Sequence, residues 1–324
     1  MSDFQNTVDI LGDEVVAQSI IDRSIVAFDD DSVKFIGKHA FRNCVSLTSV
    51  NLPAVTYVDE YGFDGCTSLA SVNTPAATSI GTYAFQKCAF TNIDVPLVTT
   101  VGQSALADCR SLTSLDLPKA TSIGYNALTN CQKLTSLNAP LVTTVGQLAF
   151  SYCKALTDIK LPSATSIGNS AFYYCEALTS VNIPLVTSIS ESVFTQCQKL
   201  TDLNLPSVTT INKTAFRGCS SLTDVYFPLV TTIGSSAFSM CQKLKRVNIQ
   251  SATSIDTYAF DYCVALQEVH LPSTPPTLNN VNAFGSVPTT CVFYIPTGSL
   301  SAYQSATNWS SLTSQYTFTE EDRG

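Results

Sequence analysis

A cysteine returns at a nearly constant interval along most of this 324-residue chain. Eleven of the twelve cysteines form one column, with steps of 22 residues except for a single step of 21 between Cys88 and Cys109. The column consists of Cys44, Cys66, Cys88, Cys109, Cys131, Cys153, Cys175, Cys197, Cys219, Cys241 and Cys263. Sequence repeats of about 20–50 residues mark proteins whose units bury a core only by stacking on one another. We therefore predict stacked coils of 22 residues.

The apolar positions of each repeat keep the same register as the cysteine. Phe or Leu lies three residues before it, and Leu lies three residues after it. In the short repeat Phe90 takes the latter position one residue early, which places the deletion between Cys88 and Phe90. Two apolar residues two apart follow, such as Val181 and Ile183, and then usually a proline. Period-two alternation closed by proline predicts one short strand per coil.

A second short alternating segment follows the proline and ends at a glycine column. The column comprises Gly37, Gly81, Gly102, Gly124, Gly146, Gly168 and Gly234, with Asp59, Ser190, Asn212 and Asp256 as its substitutes. Gly, Asn and Asp tolerate positive φ best, so we predict a left-handed turn at this column. The next stretch, such as NSAFYYC at 169–175, is too short for a full helix and predicts one turn of α or 3₁₀ helix.

The ends of the array need caps, because a terminal coil has only one neighbour. The apolar spacing of Val15, Val16, Ile20 and Ile21 predicts a helical cap over residues 1–24. The solenoid is predicted over 25–296, with about 13 strands. Residues 297–324 are predicted to form a closing helix with an aromatic plug around Trp309. We expect the three segments to form one continuous structural unit.

The repeat resembles a known family. The pattern LTSVNLPxxTSIGxxAFxxCxxL is similar to the BspA-like (Treponema pallidum-type) leucine-rich repeats of bacterial and some protozoan surface proteins, and the resemblance covers residues 25–296. It implies a right-handed leucine-rich-repeat solenoid, α/β-type by class but dominated by β structure. Parallel strands would lie on one face, with short second strands and single helical turns on the others and helical caps at both ends. The family also implies adhesion or protein binding without catalysis.

The charge distribution excludes some partners. The net charge is −8, only 13% of the residues are charged, and no Lys/Arg cluster occurs, so we expect no nucleic-acid binding. No apolar run approaches the roughly 20 residues of a membrane-spanning helix, so we expect no membrane insertion. The first residues carry acids where a Sec-type signal is basic, which favours a cytoplasmic or virion-associated protein. The family resemblance implies the cell surface instead.

The residues with reactive side chains do not converge on a catalytic motif. The cysteine spacing contains no CxxC, and the column lies among Phe, Leu and Val, which favours a buried ladder of reduced thiols. Disulfides between some neighbouring coils, or a metal site, remain alternatives. The two histidines, His39 and His270, lie far apart and form no pair with a nucleophile. We expect no enzyme activity and no cofactor.

The outward positions of the long strand are the best candidates for binding. In the first half of the array they are nearly uniform Ser, Asn and Asp, and from Asp158 onward they diversify. Recognition needs diverse side chains, with Tyr and Arg as usual anchors. The predicted partner-binding residues are Asp158, Lys160, Asp202, Asp224, Tyr226, Arg246, Glu268 and His270. Sequence drift at one end of the array is the alternative explanation. A second exposed set, beside the cysteines, is Tyr152, Tyr173, Tyr174 and Tyr262.

These features favour a non-catalytic scaffold that recognises a protein or a cell-surface glycan through the repeat surface. The alternative is a structural component of a phage particle or of the cell envelope, with no specific small ligand.

Overall fold

The computed structural model describes residues 24–322, together with the backbone of residues 9–11 and 14–16. The chain forms two compact units, unit 1 from Met1 to Ala164 and unit 2 from Thr165 to Gly324. The boundary falls inside the repeat array rather than at either of its predicted ends. Each unit is a β-solenoid of stacked coils, and each is described by itself.

The strands of unit 1 are short and number two per regular coil. They are β1 (Asp9–Leu11), β2 (Glu14–Val16), β3 (Ala27–Asp29), β4 (Phe35–Ile36), β5 (Ser49–Asn51), β6 (Tyr57–Val58), β7 (Ser71–Asn73), β8 (Ser79–Ile80), β9 (Thr100–Val101), β10 (Ser114–Asp116), β11 (Ser122–Ile123), β12 (Ser136–Asn138), β13 (Thr144–Val145) and β14 (Asp158–Lys160).

Unit 2 continues the same alternation and adds three helices near its end. Its strands are β15 (Ser166–Ile167), β16 (Ser180–Asn182), β17 (Ser188–Ile189), β18 (Asp202–Asn204), β19 (Thr210–Ile211), β20 (Asp224–Tyr226), β21 (Thr232–Ile233), β22 (Arg246–Asn248), β23 (Ser254–Ile255), β24 (Glu268–His270), β25 (Thr277–Leu278), β26 (Val292–Pro296) and β27 (Thr317–Glu321). A 3₁₀ helix spans Val281–Phe284, and two α-helices, α1 and α2, span Leu300–Ser305 and Trp309–Gln315.

Consecutive coils pair in parallel, one repeat apart. On the face built by the three-residue strands, here called the long-strand face, Val50 pairs with Val72 and Val247 pairs with Val269. The two-residue strands form a second parallel ladder on the short-strand face, where β17, β19, β21, β23 and β25 are successive neighbours. The period that predicts the strands therefore also sets their register, as expected for coils of equal length.

The short repeat keeps its core and loses a residue only at the surface. Asn73 bridges to Asp94, 21 residues on, where other coils pair at 22. Phe90 is fully buried and meets Phe85 edge to face at 5.9 Å between ring centroids. Cys88 still donates its S–H to the carbonyl of Phe63, as its counterparts do in other coils. The predicted position of the deletion is confirmed.

The segment between the glycine column and the cysteine is a chain of tight turns, not a helical turn. Arg42 donates its N–H to His39, and Cys44 donates to Phe41, which are i→i−3 bonds. Every second N–H instead points to the next coil, as from Phe41 to Gly62 at 2.7 Å. This alternation of internal and inter-coil bonds forms a third ladder, and a continuous helix could not provide it.

The predicted left-handed turn at the glycine column is wrong in position. Positive φ occurs two residues and six residues after the column, for example at Ser192 and Gln196 with φ of 58° and 62°. The glycines serve close packing instead. A Cβ on Gly146 would lie 2.5 Å from the carbonyl carbon of Gly124 in the preceding coil. Glycine is therefore favoured because the coils approach closely there, whatever its φ.

Threonines flank both faces and reinforce the ladders, a signal that the strand pattern alone does not reveal. The backbone N–H and the Oγ1 of Thr78 both donate to the carbonyl of Thr56, at 2.8 and 3.1 Å. In unit 2, Thr231 makes the same pair of hydrogen bonds to the carbonyl oxygen of Thr209. Each such threonine satisfies its hydroxyl within the fold.

The N-terminal segment differs from the predicted helix where its backbone is described. Strands β1 and β2 pair antiparallel, and β2 pairs in parallel with β4. An edge strand such as β4 has unpaired backbone groups, and a further strand satisfies them as a helix does not. The β-branched pair Val15 and Val16 suits a strand. The remainder of the predicted cap, with Ile20 and Ile21, lies outside the described residues.

The C-terminal segment contains helices and an additional strand. Trp309 is fully buried and donates its indole N–H to the carbonyl of Pro276 at 2.7 Å. Strand β27 pairs in parallel with β26, so a further strand follows the 13 that the repeat predicts. Phe318 of β27 stacks on Phe293 at 5.0 Å, which extends the core contacts into the cap.

The core of each unit contains a file of stacked phenylalanines beside the cysteine column, which Leu106 and Leu128 interrupt in unit 1. In unit 2, successive rings from Phe172 to Phe284 lie 5.2–5.6 Å apart between centroids. All twelve cysteines are free thiols and buried. Cys219, for example, donates its S–H to the carbonyl of Phe194 at 3.2 Å. The predicted buried ladder of thiols is confirmed.

Candidate recognition surface

Most of the predicted partner-binding residues lie on the long-strand face of unit 2, where the exposed side chains differ from coil to coil. In β20 the central Val225 is buried, so its two neighbours point outward. The register of β20, β22, β24 and β26 then aligns two outward columns. The first column is Asp224, Arg246, Glu268 and Val292, and the second is Tyr226, Asn248, His270 and Tyr294.

An ion pair fixes the arginine of this surface. The Nε of Arg246 lies 2.5 Å from Oδ1 of Asp224, and Glu268 is its direct neighbour on the other side. The two side chains of the pair remain 63% and 44% exposed, so the pair contributes at most about 1 kcal/mol to stability. Its effect is to hold the guanidinium in one orientation while several of its N–H groups stay open to a partner.

Tyr226 is the most prominent aromatic residue on this surface, with 70% of its area exposed. In several earlier coils its column carries asparagines that bond from coil to coil, as Asn204 does to Asn182 at 2.8 Å. Tyr226 cannot continue that ladder with an amide. In this ladder each amide donates to the side-chain oxygen of the preceding coil, so Tyr226 provides no amide N–H for Oδ1 of Asn204. The buried Oδ1 of Asn248 also has no hydrogen-bond partner among the described residues, because His270 stands where the next amide donor would be. The tyrosine therefore interrupts a stabilising ladder, which points to a role other than stability.

The C-terminal edge of the surface is an aromatic pair with carboxylates around it. His270 stacks on Tyr294 at 4.8 Å, and its Nδ1 lies 3.0 Å from Oε1 of Glu321. Its Nε2 lies 3.8 Å from Glu268. Glu321 was missed because residues 297–324 were expected to form a closing helix with an aromatic plug. Tyr294 was missed because the outward columns were followed only as far as Glu268 and His270. The alternation in TFTEE at 317–321 is the signal that could have revealed it.

The predicted site residues divide between the two units. Asp202 lies exposed on β18 of unit 2, one repeat before Asp224. Asp158 and Lys160 lie on β14 of unit 1 and form their own exposed ion pair at 3.8 Å. We call the unit 2 set the acidic–aromatic surface: Asp202, Asp224, Tyr226, Arg246, Glu268, His270, Tyr294 and Glu321. It holds four carboxylates and one guanidinium, so its charge is clearly negative.

The tyrosines beside the cysteines occupy turn positions. Tyr152, Tyr174 and Tyr262 all have positive φ, between 56° and 61°. The rings of Tyr173 and Tyr174 pack against each other at 4.6 Å. These residues lie along separate coils of the turn segment and form no enclosed site among the described residues.

The thiols are poorly suited to nucleophilic chemistry. Burial raises the pKa of Cys109 and of Cys153 to about 12, because an ionised sulfur would be cut off from water. Only the thiolate is a strong nucleophile or metal ligand. Within the described residues, no group of three or more His, Cys, Asp or Glu side chains is arranged to hold a metal ion.

The repeat itself can be compared with known families. The model of the BspA type leucine rich repeat region, six copies long, matches residues 34–157, 78–201 and 187–311. These matches cover most of the chain. The chain belongs to the BspA-type leucine-rich repeat family. The resemblance seen in the sequence is thus confirmed. No curated protein matches the chain.

Solved structures share the fold of this BspA-type protein. A leucine-rich repeat protein from Bacteroides ovatus is 23% identical, with a TM-score of 0.54, over 89% of this chain and 90% of that one. The pneumococcal vaccine antigen PcpA is 16% identical, also with a TM-score of 0.54, over 98% of both chains. Identities this low establish the fold alone. In the described residues, no helix has the length and apolar character needed to cross a bilayer.

Proposed function

We propose that this protein is a non-catalytic scaffold that binds another protein through the acidic–aromatic surface of unit 2. The observation that carries the proposal is Tyr226, which is 70% exposed on a rigid strand beside the oriented guanidinium of Arg246. Tyrosine and arginine are the residues that most often anchor protein interfaces, and strand positions hold them with little loss of entropy on binding.

The charge of the surface defines the kind of partner. Asp202, Asp224, Glu268 and Glu321 surround a single arginine, in a chain whose net charge is −8. A partner with a basic surface patch is favoured, since complementary charges speed association and disfavour wrong partners. The BspA-type leucine-rich repeat family is consistent with a protein exposed at the bacterial surface. We therefore extend the proposal to adhesion at the cell surface.

The test compares surface variants that borrow residues from other coils. Tyr226→Asn and Arg246→Ser replace the two anchors by the residue types found at the same repeat position in earlier coils of unit 2, Asn204 and Ser180. Binding to arrays of host proteins and of glycans should show protein ligands of basic character. The affinity for these ligands should fall at least tenfold in both variants, because a hot-spot residue contributes about 2 kcal/mol or more to binding.

The control is Tyr258→Ser, which removes another exposed tyrosine, 44% exposed, from the turn segment, where Ser236 stands in the preceding coil. It should bind as the parent does. Equal binding by Tyr226→Asn, Arg246→Ser and the parent would refute the assignment of the surface. Binding to glycans but not to proteins would refute the class of partner.

A further inference from the structure

The short repeat borders a cleft in unit 1. In regular coils the residue after the cysteine donates its N–H to the residue before it, as Thr67 does to Gly65 at 2.9 Å. In the short repeat, Ala89 donates instead to Leu69 of the preceding coil, at 3.0 Å. The shortened loop is drawn back, and the loops of the two neighbouring coils become its walls. The resulting cleft has a volume of about 410 Å³.

The cleft is lined by five polar or charged residues together with Cys88 and Ala89 of the short repeat. Thr67 comes from the preceding coil, Lys87 and Ala89 from the short one, and Asp108, Arg110 and Ser111 from the following one. Its volume lies within the range of about 300–1,000 Å³ that ligand sites of proteins occupy. Two cations face one carboxylate here, in a chain whose net charge is −8. The cleft is therefore a local exception to the acidic character of the protein.

The arginine of the cleft is held in place. Its Nε and Nη2 lie 3.4 and 3.1 Å from Oδ1 of Asp108, and the amide of Asn130 donates to the same oxygen at 2.5 Å. Arginine has five N–H donors, so three remain after these two contacts. Lys87 adds an exposed ammonium from a residue with φ of 62°, whose backbone N–H bonds to Ala107.

We propose that this cleft binds the carboxylate of an acidic sugar, such as a uronic acid residue of a glycan. A carboxylate is the group that a fixed guanidinium and an ammonium recognise together. The Oδ2 of Asp108 and the hydroxyls of Thr67 and Ser111 accept hydrogen bonds, which suits the O–H groups of the same sugar. An acidic peptide side chain brings the carboxylate but lacks those hydroxyl donors, so the sugar is favoured over the peptide.

The site is independent of the acidic–aromatic surface, because all its residues belong to unit 1. The probe is sodium D-glucuronate, with D-glucose and triglutamate as comparisons, measured by calorimetry and by saturation-transfer NMR on the full chain. We expect glucuronate to bind with a dissociation constant on the order of 1 mM, as is usual for a small polar ligand in an open site. Glucose and triglutamate should bind at least tenfold more weakly.

Three variants test the cleft without disturbing the fold. Lys87→Asn introduces the residue type of Asn130, which holds the same repeat position two coils later. Arg110→Gln introduces that of Gln132, one coil later. Insertion of one serine between Ala89 and Phe90 restores the 22-residue repeat and fills the cleft. Each should weaken glucuronate binding at least tenfold. The control Lys133→Ser removes a cation of the same unit outside the cleft and should leave binding unchanged.

Four results would overturn the proposal. The first is no binding of glucuronate to the parent chain at about 20 mM, 20-fold above the expected dissociation constant of about 1 mM. The second is equal binding of glucuronate to the serine-insertion protein and to the parent. Equal binding of glucose would refute the role of the charges, and tighter binding of triglutamate would make the ligand an acidic peptide. Tyr226→Asn should not change glucuronate binding, so failure here and failure of the proposed function are separate results.

Discussion

Replacement of Gly146 by alanine tests whether the coils are packed as closely as the structure requires. The added Cβ would lie 2.5 Å from the carbonyl carbon of Gly124 and 2.6 Å from the backbone nitrogen of Tyr125. Carbon atoms pack best at about 3.5–4.0 Å, so the two coils must separate by roughly 1 Å locally. That movement stretches the 2.8 Å bond from the N–H of Gly146 to Ile123.

The magnitude follows from these contacts. Overpacking of a tight site costs about 1–3 kcal/mol, and the weakened hydrogen bond costs about 1 kcal/mol more. Alanine restricts the unfolded chain and returns about 0.4–1 kcal/mol. Gly146→Ala should therefore lower the free energy of unfolding by roughly 1–3.6 kcal/mol, with a midpoint of about 2.3 kcal/mol. The assay is urea unfolding followed by far-ultraviolet circular dichroism, with the midpoint compared at equal slope.

The control separates steric conflict from backbone strain. Gly298 has a φ of +82°, and a Cβ there would meet nothing within 4 Å. Gly298→Ala should cost only the strain of a left-handed residue, about 1–2 kcal/mol, less the same gain from the unfolded chain, so roughly 0–1.6 kcal/mol in all. If Gly146→Ala costs no more than Gly298→Ala, the close approach of the coils is not what selects glycine in this column, and the reasoning is refuted.

Two other predictions concern the core and the cap. Burial raises the pKa of Cys109 and of Cys153 to about 12 in the folded protein. In the unfolded chain these thiols lose their protons near pH 9.0, the usual pKa of a thiol, while the folded chain still keeps them. Stability should be complete below about pH 9 and fall as the pH rises toward 12, by up to about 1.4 kcal/mol per pH unit for each thiol. Urea midpoints at pH 7 and pH 10.5 measure this, and equal midpoints would contradict the burial of the thiols. At the C-terminus, Trp309→Ala removes a fully buried ring and should cost about 3–5 kcal/mol. Hydrogen exchange should then accelerate in 317–321 more than in 224–226, and uniform acceleration would argue against a local cap.

Periodicity made much of the fold predictable. A strict 22-residue spacing requires equivalent residues to lie above one another, so the register of Val247 on Val269 and the stacking of Phe172 on Phe194 follow from the sequence. The buried thiol column follows for the same reason. The position of the deletion could also be predicted, because Phe90 breaks the count by one residue.

The turn geometry could not be predicted from residue types. The left-handed positions are occupied by residues as different as Leu148, Met240 and Tyr258, none of which signals positive φ. Hydrogen bonds to the next coil impose that conformation, for example from Met240 to Asp261 at 2.9 Å. Such bonds exist only in the stacked array, and a single repeat gives no sign of them.

The candidate surface could be predicted in part. The change from uniform Ser and Asn to diverse residues indicated Tyr226 and Arg246, since outward positions are free to vary in a solenoid. Glu321 was missed because its strand lies outside the repeat and reaches His270 only through pairing with β26. The short-repeat cleft was missed because a deletion shows which residue is absent but not how the neighbouring loops respond.

The sulfur positions test the central claim most directly. Anomalous diffraction from crystals of the native protein locates each sulfur without reference to the chain trace. Within each unit, successive sulfurs of the cysteine column should lie about 4.8 Å apart, the spacing of neighbouring strands. Sulfurs more than about 8 Å apart, or joined in pairs at about 2.05 Å, would contradict a buried file of free thiols in stacked coils.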